Sequence, residues 1–379
     1  MGDNERVRNS LYLLPCQTSL RMKFDLGKPD LLTVLLILVP LPFIAYFMHL
    51  PEVAIFGASC LGIIPLAGFM GKATEHLSEH VGPGQGALLN AFFGNACEFI
   101  LALSALNAGL IDVVKASITG SIMGNVLLVL GASMFAGGLK HETQKFNRTA
   151  GSASATLLAL AAIGLLMPAV MMHTSTHKDH DGLQSSMAIS IILSIVYLAS
   201  LVFSLKTHKR FYGAAVGEEG QIALGVHGWS KKNSLCILLG ATVMVSIIAQ
   251  FLVSAVEATG KALGMSELFV GVILVAIVGN AAENSSAVLM AMKNRMDLAI
   301  NISLGSSAQL ALLIAPLLVF IGFFMGRPMN LMFTEAEIVA VIVAVVALKF
   351  VASDGESNWL EGLMLLAVYA ILAVAFFYM

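Results

Sequence analysis

The stretch AFFGNACEFILAL, from Ala91 to Leu103, places an asparagine and a glutamate, Asn95 and Glu98, in the middle of an apolar run. A second stretch, AIVGNAAENSSAV from Ala276 to Val288, repeats the pattern. A carboxylate within hydrocarbon costs roughly 3 kcal/mol or more unless it is paired, hydrated or protonated. Because the costly pattern occurs twice, we expect the two glutamates to act together.

The composition places the chain in a membrane. Of the 379 residues, 58% are hydrophobic and 12% are charged, whereas soluble domains keep roughly a quarter of their residues charged. The four cysteines are scattered without CxxC spacing, which indicates neither a disulfide framework nor a zinc site. With a net charge of -2 there is no indication of a nucleic-acid partner, and no cofactor is predicted.

Apolar runs of about 20 residues can cross a bilayer, and the chain has about eleven of them. The predicted fold class is therefore an all-α integral membrane protein. Several runs exceed about 25 residues, and the third, fourth, eighth and ninth contain glycines, so we expect bent or interrupted helices. The predicted spans are 31–50, 52–79, 83–110, 112–138, 149–172, 184–206, 233–260, 266–292, 296–325, 335–352 and 357–378.

Basic residues predict the orientation, because Lys and Arg are enriched in cytoplasmic loops. If residues 1–30 form a cytoplasmic tail, roughly 17 of the 21 basic residues lie on the cytoplasmic side. The C-terminus then lies outside. The segment 207–232 becomes a cytoplasmic linker between two groups of five helices.

An internal repeat relates these two groups. Glu98 and Glu283 are 185 residues apart (283 minus 98), and three further pairs share this separation. These pairs are Asp112–Asp297, Gly120–Gly305 and Ser121–Ser306. Five helices is an odd number, so the copies 52–206 and 233–379 should have opposite orientations, with helix 31–50 as an extra element. Inverted repeats are typical of secondary transporters, whose sites lie near the midplane.

The paired glutamates indicate a site shared by a cation and protons. Two facing carboxylates make ionisation of both difficult. One divalent cation neutralises both, and two protons do so equally well, so the two compete. Competition for one site is the basis of exchange.

The neighbouring side chains suit a hard cation. Calcium takes six to eight oxygen ligands in flexible geometry. Apart from Cys97 there is no His or Cys at this level, which makes a soft metal a poorer match. We expect backbone carbonyls near Gly94 and Gly279 to contribute. The predicted side-chain ligands besides the glutamates are Asn95, Asn280, Ser121, Ser306 and Gln309.

At these residues the chain resembles a known family. GNACEF…GSIMGN and GNAAEN…GSSAQ resemble the paired repeats of cation/proton exchangers of the calcium/cation antiporter superfamily. The resemblance extends from residue 30 onward. It implies a prokaryotic or vacuolar-type calcium/proton antiporter with alternating access, in which Glu98 and Glu283 are the central ligands. Of the two we expect an integral, multi-pass protein of a prokaryotic plasma membrane. It could form a homo-oligomer.

Two departures qualify the resemblance. The sodium/calcium branch typically carries a GTS-x-PE motif, whereas this chain has Gly-Asn-Ala-x-Glu in both copies, which favours protons over sodium. Gly124 stands where many members have serine, so a hydroxyl ligand is lost there. Related exchangers use glutamates of long mobile helices for gating or proton transfer. Glu75 and Glu257 could do so here, or they could be ordinary helix-end carboxylates.

Several alternatives stay open at this point. A sodium-coupled calcium exchanger and a passive cation channel are the competing transport functions. The motif HLSEH, His76 to His80, matches a zinc-hydrolase pattern but has no copy in the repeat, and we predict no enzyme. Glu218 and Glu219 could belong to a regulatory cation-binding segment or to a solvated linker. HTSTHKDHD, His173 to Asp181, could bind a transition metal or be an ordinary polar loop.

Overall fold

The structure, a computed structural model, describes residues 31–81, 86, 89–90, 92–174, 182–208 and 229–379, and these are almost entirely helical. We number the helices α1 to α11 and treat the two halves of a bent helix as α8a and α8b. The helices are α1 Leu31–Phe47, α2 Glu52–Val81, α3 Ala96–Ala108, α4 Ile111–Gly138, α5 Arg148–Thr174, α6 Leu183–Thr207, α7 Lys231–Leu263, α8a Val270–Gly279, α8b Ala281–Met292, α9 Met296–Phe324, α10 Glu335–Val351 and α11 Trp359–Tyr378.

The prediction of an all-α, multi-pass membrane protein is confirmed. Within the described residues, 7 helices are long and apolar enough to cross a membrane, and the bent α8 pair would make 8. The described parts of α1, α3 and α10 have 17, 13 and 17 residues and do not reach that length. The count of about eleven spans is therefore not confirmed.

Breaks and widened turns occur in the helices whose glycines predicted them, and a further π-turn, which was not predicted, ends α6 at Phe203–Thr207. The halves of α8 meet at an angle of 64°. In α4 and α9 the backbone widens into a π-helix at Gly124–Val129 and Leu310–Ile314. Adding 185 to the first range places it within one residue of the second. Such π-turns are frequent at functional sites, because they redirect side chains out of the regular helical spacing.

One end of the molecule gathers the loops around the beginning of α4. The Lys115 ammonium donates to Asn330 Oδ1 and to the carbonyl of Met332, both at 2.7 Å. The amide of Leu331 donates to Ser186 Oγ at 2.9 Å. The start of α4, the start of α6 and the α9–α10 loop therefore share this end.

The opposite end gathers the loops after α4, α8b and α10. Strand β1, Gln144–Lys145, pairs antiparallel with strand β2, Glu356–Ser357. Gln144 Nε2 donates to the carbonyl of Ala291 at 2.8 Å, which ties β1 to the end of α8b. This grouping agrees with two inverted repeats. Which end faces the cytoplasm stays a prediction.

The two longest helices, α2 with 30 residues and α7 with 33, pack along each other. Helix α1 covers their outer side, where Phe251 of α7 stacks on Tyr46 at a ring separation of 4.3 Å. The α2–α7 pair borders α3 and α8, the elements that carry the two glutamates.

Candidate cation site

Glu98 lies in the first turn of α3, just after the break at Asn95. Its side chain is buried at 5% exposure and rests on the backbone of α8a. A Cβ atom added at Gly279 would lie 3.3 Å from Glu98 Cγ. Glycine at that position therefore allows the carboxylate of one repeat to reach the helix break of the other.

Glu283 occupies the matching place, in the first turn of α8b after Asn280. The residue keeps some accessible surface, but its Oε2 atom is buried. The carboxylates of Glu98 and Glu283 lie close enough to repel each other. Both stand at helix N-termini, where the helix dipole favours a negative charge. Helix breaks in transporters also leave backbone carbonyls free to coordinate cations.

Asparagine and serine side chains join the two repeats at the same level. Asn280 Nδ2 donates to Ser121 Oγ at 2.9 Å. Ser306 Oγ donates to Asn95 Oδ1. Each asparagine thus bonds the serine of the other repeat, and all four side chains are buried.

Three acceptor atoms of the predicted ligands have no hydrogen-bond partner among the described residues. They are Glu98 Oε2, Glu283 Oε2 and Asn280 Oδ1. Buried polar atoms are nearly always paired, so each exception calls for an explanation. An oxygen-rich arrangement of this kind fits calcium, whose ligands are carboxylate and carbonyl oxygens.

Two residues in this region were not among the predicted ligands. Asn125 Nδ2, on the π-turn of α4, donates to Ser306 Oγ at 3.0 Å. Asn284 Oδ1 is buried without a partner directly after Glu283. The sequence signal for Asn284 is the last letter of GNAAEN. For Asn125 there is none in the repeat, because Leu310 stands at the corresponding position.

Gln309, a predicted ligand, lies buried just before the π-turn of α9, three residues beyond Ser306. Its role as a ligand stays a prediction. Gly94, whose surroundings were expected to supply backbone oxygen, lies in the turn that precedes α3.

The paired glycines of the repeats differ in their surroundings. A Cβ atom at Gly120 of α4 would overlap the carbonyl oxygen of Val272 in α8a. A Cβ atom at Gly305 of α9 would have no atom within 4 Å. Helix α4 is therefore packed tightly against α8a, and α9 has space at the corresponding place.

Glu75 and Glu257 are not brought into this cluster. Both are exposed. Glu257 forms an ion pair with Lys261 one turn later on α7, and Glu75 lies near His76 and Lys72 on α2. Their predicted part in gating or proton transfer is untested.

In the HLSEH motif, His76 Nδ1 lies 3.6 Å from Glu79 Oε2. The His76 ring packs on Trp229, with ring centroids 5.1 Å apart. Within the described part of the chain, no group of three His, Cys, Asp or Glu residues could hold a metal ion. Glu218, Glu219 and residues 175–181 lie outside the described residues.

Comparison with known proteins supplies independent findings. Residues 51–206 and 233–378 match the family described as sodium/calcium exchanger protein. The chain is 44% identical to a calcium/proton antiporter of Synechocystis sp., over 93% of this chain and 98% of that protein. It is also 44% identical to the calcium/proton antiporter ChaA of Bacillus subtilis, over 89% of this chain and 96% of that protein.

The fold is likewise similar to a solved one. The crystal structure of the calcium/proton antiporter protein YfkE superposes with a TM-score of 0.79 at 41% identity, covering 92% of this chain and 99% of that chain. The relatives are transporters that match this chain over nearly their whole length. The chain therefore belongs to the sodium/calcium exchanger protein family.

Proposed function

We propose that the protein is a secondary active antiporter that exchanges calcium for protons by alternating access. Glu98 and Glu283 form the site that both ions share. The observation that carries the proposal is geometric: Glu98 contacts Gly279, four residues before Glu283, and each glutamate has a buried Oε2 atom without a hydrogen-bond partner.

The energetics of this pair favour exchange over simple binding. An unpaired buried carboxylate loses several kcal/mol of hydration, and a second one nearby adds repulsion. One calcium ion removes both penalties, and so do two protons. Because the site is costly when empty and charged, loading with one ion accompanies release of the other.

Calcium suits the side chains better than magnesium does. Glu98 Oε2, Glu283 Oε2 and Asn280 Oδ1 supply three oxygens from different helical segments. Magnesium demands near-octahedral geometry and gives up its water reluctantly, whereas calcium accepts irregular sets of six to eight oxygens. Backbone carbonyls at the helix breaks and water would complete the set.

The relatives support the choice of ions. The two bacterial relatives are named calcium/proton antiporters, and both match this chain over nearly their whole length. We place the protein in a prokaryotic plasma membrane on the same basis. Sodium appears in the description of the family, so sodium coupling is the alternative that the assay must separate.

Alternating access is supported by the unequal packing of the two repeats. A Cβ atom at Gly120 would overlap Val272, whereas one at Gly305 would have no atom within 4 Å. We assign the tight contact to the closed side of the site and the space to the open side. Inverted repeats can exchange their conformations, which reverses the closed and open sides. Glu75 and Glu257, near the ends of α2 and α7, would pass protons between the site and water.

The experiment is calcium uptake into proteoliposomes under an imposed pH gradient with the membrane potential clamped. We expect uptake that follows the gradient and collapses with a protonophore. Uptake that ignores pH contradicts antiport and supports a channel, and uptake that requires sodium supports the sodium-coupled alternative. Glu98→Gln should abolish uptake, with Glu356→Gln as the matched control because Glu356 is a half-exposed residue of β2.

A further inference from the structure

The two repeats contribute unlike hydrogen bonds to the site. In one contact, Ser121 accepts a hydrogen bond from Asn280 Nδ2. In the other, Ser306 donates to Asn95 Oδ1. The amide oxygen of Asn95 is therefore engaged, and that of Asn280 has no partner.

The orientation of Asn280 follows from a second contact. Its Nδ2 atom also donates to the carbonyl oxygen of Ala276, at 2.8 Å. A carbonyl oxygen cannot donate, so the amide nitrogen must face it. The amide oxygen of Asn280 consequently points away from Ser121 and Ala276.

Asn125 explains why Ser306 donates to its asparagine, whereas Ser121 accepts from its own. A serine hydroxyl has a single proton and two lone pairs. Asn125 Nδ2 donates to Ser306 Oγ at 3.0 Å, so the proton of Ser306 is left for other acceptors. Those within reach are Asn95 Oδ1 and the Glu283 carboxylate.

The second repeat has no asparagine at the position that corresponds to Asn125. Position 310, which is 125 plus 185, holds leucine. Leu310 cannot donate to Ser121 as Asn125 donates to Ser306. Ser121 accepts instead from Asn280, so the contact between serine and asparagine runs in the other direction. The difference is chemical rather than conformational, because a leucine side chain cannot donate in any state of the transporter.

We infer that Asn125 is a positioning residue that keeps Ser306 bonded to Asn95, so that Asn280 is a calcium ligand and Asn95 is not. The inference rests on the proposed function of Glu98 and Glu283. It makes the site asymmetric: the cation takes its amide ligand from the break of α8 alone.

The test is calcium binding to the purified full-length protein at one fixed pH, measured by equilibrium dialysis with radioactive calcium. Asn280→Ala should weaken binding about tenfold, the effect of removing one polar partner of a charge. Asn95→Ala should weaken it less than about threefold. In an Asn125→Leu background, Asn95→Ala should weaken calcium binding about tenfold. The reason is that Ser306 no longer holds the amide oxygen of Asn95, which then becomes available to calcium.

A second route gives the same answer if Asn125→Leu folds poorly. Ser306→Ala removes the hydroxyl itself, so Asn95→Ala should again become costly in that background. Ser133→Ala is the control, since Ser133 is a buried serine of α4 outside the site. The apparent KM for calcium uptake should change in the same pattern, whereas a purely structural role for Asn125 would not change the ranking of the two asparagines.

Two results would overturn the inference. One is equal weakening by Asn95→Ala and Asn280→Ala in the unmodified protein. The other is that the effect of Asn95→Ala on the free energy of calcium binding adds to that of Asn125→Leu and to that of Ser306→Ala, without coupling in either double variant. Normal calcium binding by Glu283→Gln would instead overturn the proposed function, so the two failures can be told apart.

Discussion

Among single residues, the two carboxylates of Glu98 and Glu283 dominate the site, because no basic side chain was predicted beside them. Glu98 and Glu283 repel each other in surroundings that shield them from water, and Gly279 permits their approach because it has no side chain. The same two features, a missing Cβ atom and a removable charge, can be tested by single substitutions.

Glu283→Gln should leave the fold intact and abolish exchange, because glutamine is nearly the same shape but neither carries charge nor titrates. Without the repulsion, the calcium-free protein should be more stable by about 1 kcal/mol or more. Calcium should no longer raise its melting temperature. Thermal unfolding with and without calcium measures both effects. Normal transport by this variant would contradict the central role of the pair.

Gly279→Ala should displace Glu98, since the new Cβ atom would lie 3.3 Å from Glu98 Cγ. We expect the apparent KM for calcium to rise about tenfold, the effect of weakening one charged ligand. Gly57→Ala is the matched control, because a Cβ atom at Gly57 would have no atom within 4 Å. An unchanged KM would show that Glu98 can move without loss of binding.

At the scale of the element, irregular helices position the side chains. The break of α8 at Asn280 directs the N-terminus of α8b toward the site. The π-turn of α4 carries Asn125. Tight packing of α4 against α8a then requires glycine at position 120. Packing at Gly120 therefore differs from packing at Gly305, and the same substitution at both positions compares the two repeats.

Gly120→Ala should destabilise the protein by about 1–3 kcal/mol, because the added methyl group overlaps the carbonyl of Val272. Gly305→Ala has space and should be close to neutral for this conformation. Thermal unfolding of the two variants measures the difference. Equal effects would mean that the conformation with α4 packed on α8a is not the prevailing one.

At the scale of the whole molecule, the loops separate into two groups at opposite ends. Residue 145 of β1 belongs to the group near the ends of α4 and α8b, and Arg327 belongs to the other group. Both side chains are exposed. They can therefore report the orientation that the distribution of basic residues predicts.

Lys145→Cys and Arg327→Cys, placed in a background without native cysteines, should be labelled from opposite sides of the membrane. We expect a membrane-impermeant maleimide applied to intact cells to label Arg327→Cys alone. Lys145→Cys should react only after the cells are opened. The reverse pattern would invert the predicted topology, and labelling of both from one side would contradict the inverted repeats.

Much of the architecture could be predicted from hydropathy and from the spacing of residues along the chain. Hydropathy alone indicates a multi-pass helical membrane protein. A single offset of 185 relates Glu98 to Glu283 and predicts where the helices break. The number of spans could not be settled in this way, because bent and shortened helices change the length available for crossing.

The membrane class, the repeat and the pair of glutamates can be identified from composition and spacing along the chain. Which polar atoms meet depends on how the helices pack. The bonds Asn125–Ser306, Ser306–Asn95 and Asn280–Ser121 join residues 181, 211 and 159 positions apart. Hydrogen bonds depend on distance and direction, so no pattern along the chain specifies that the oxygen of Asn280 is left for a cation and that of Asn95 is not.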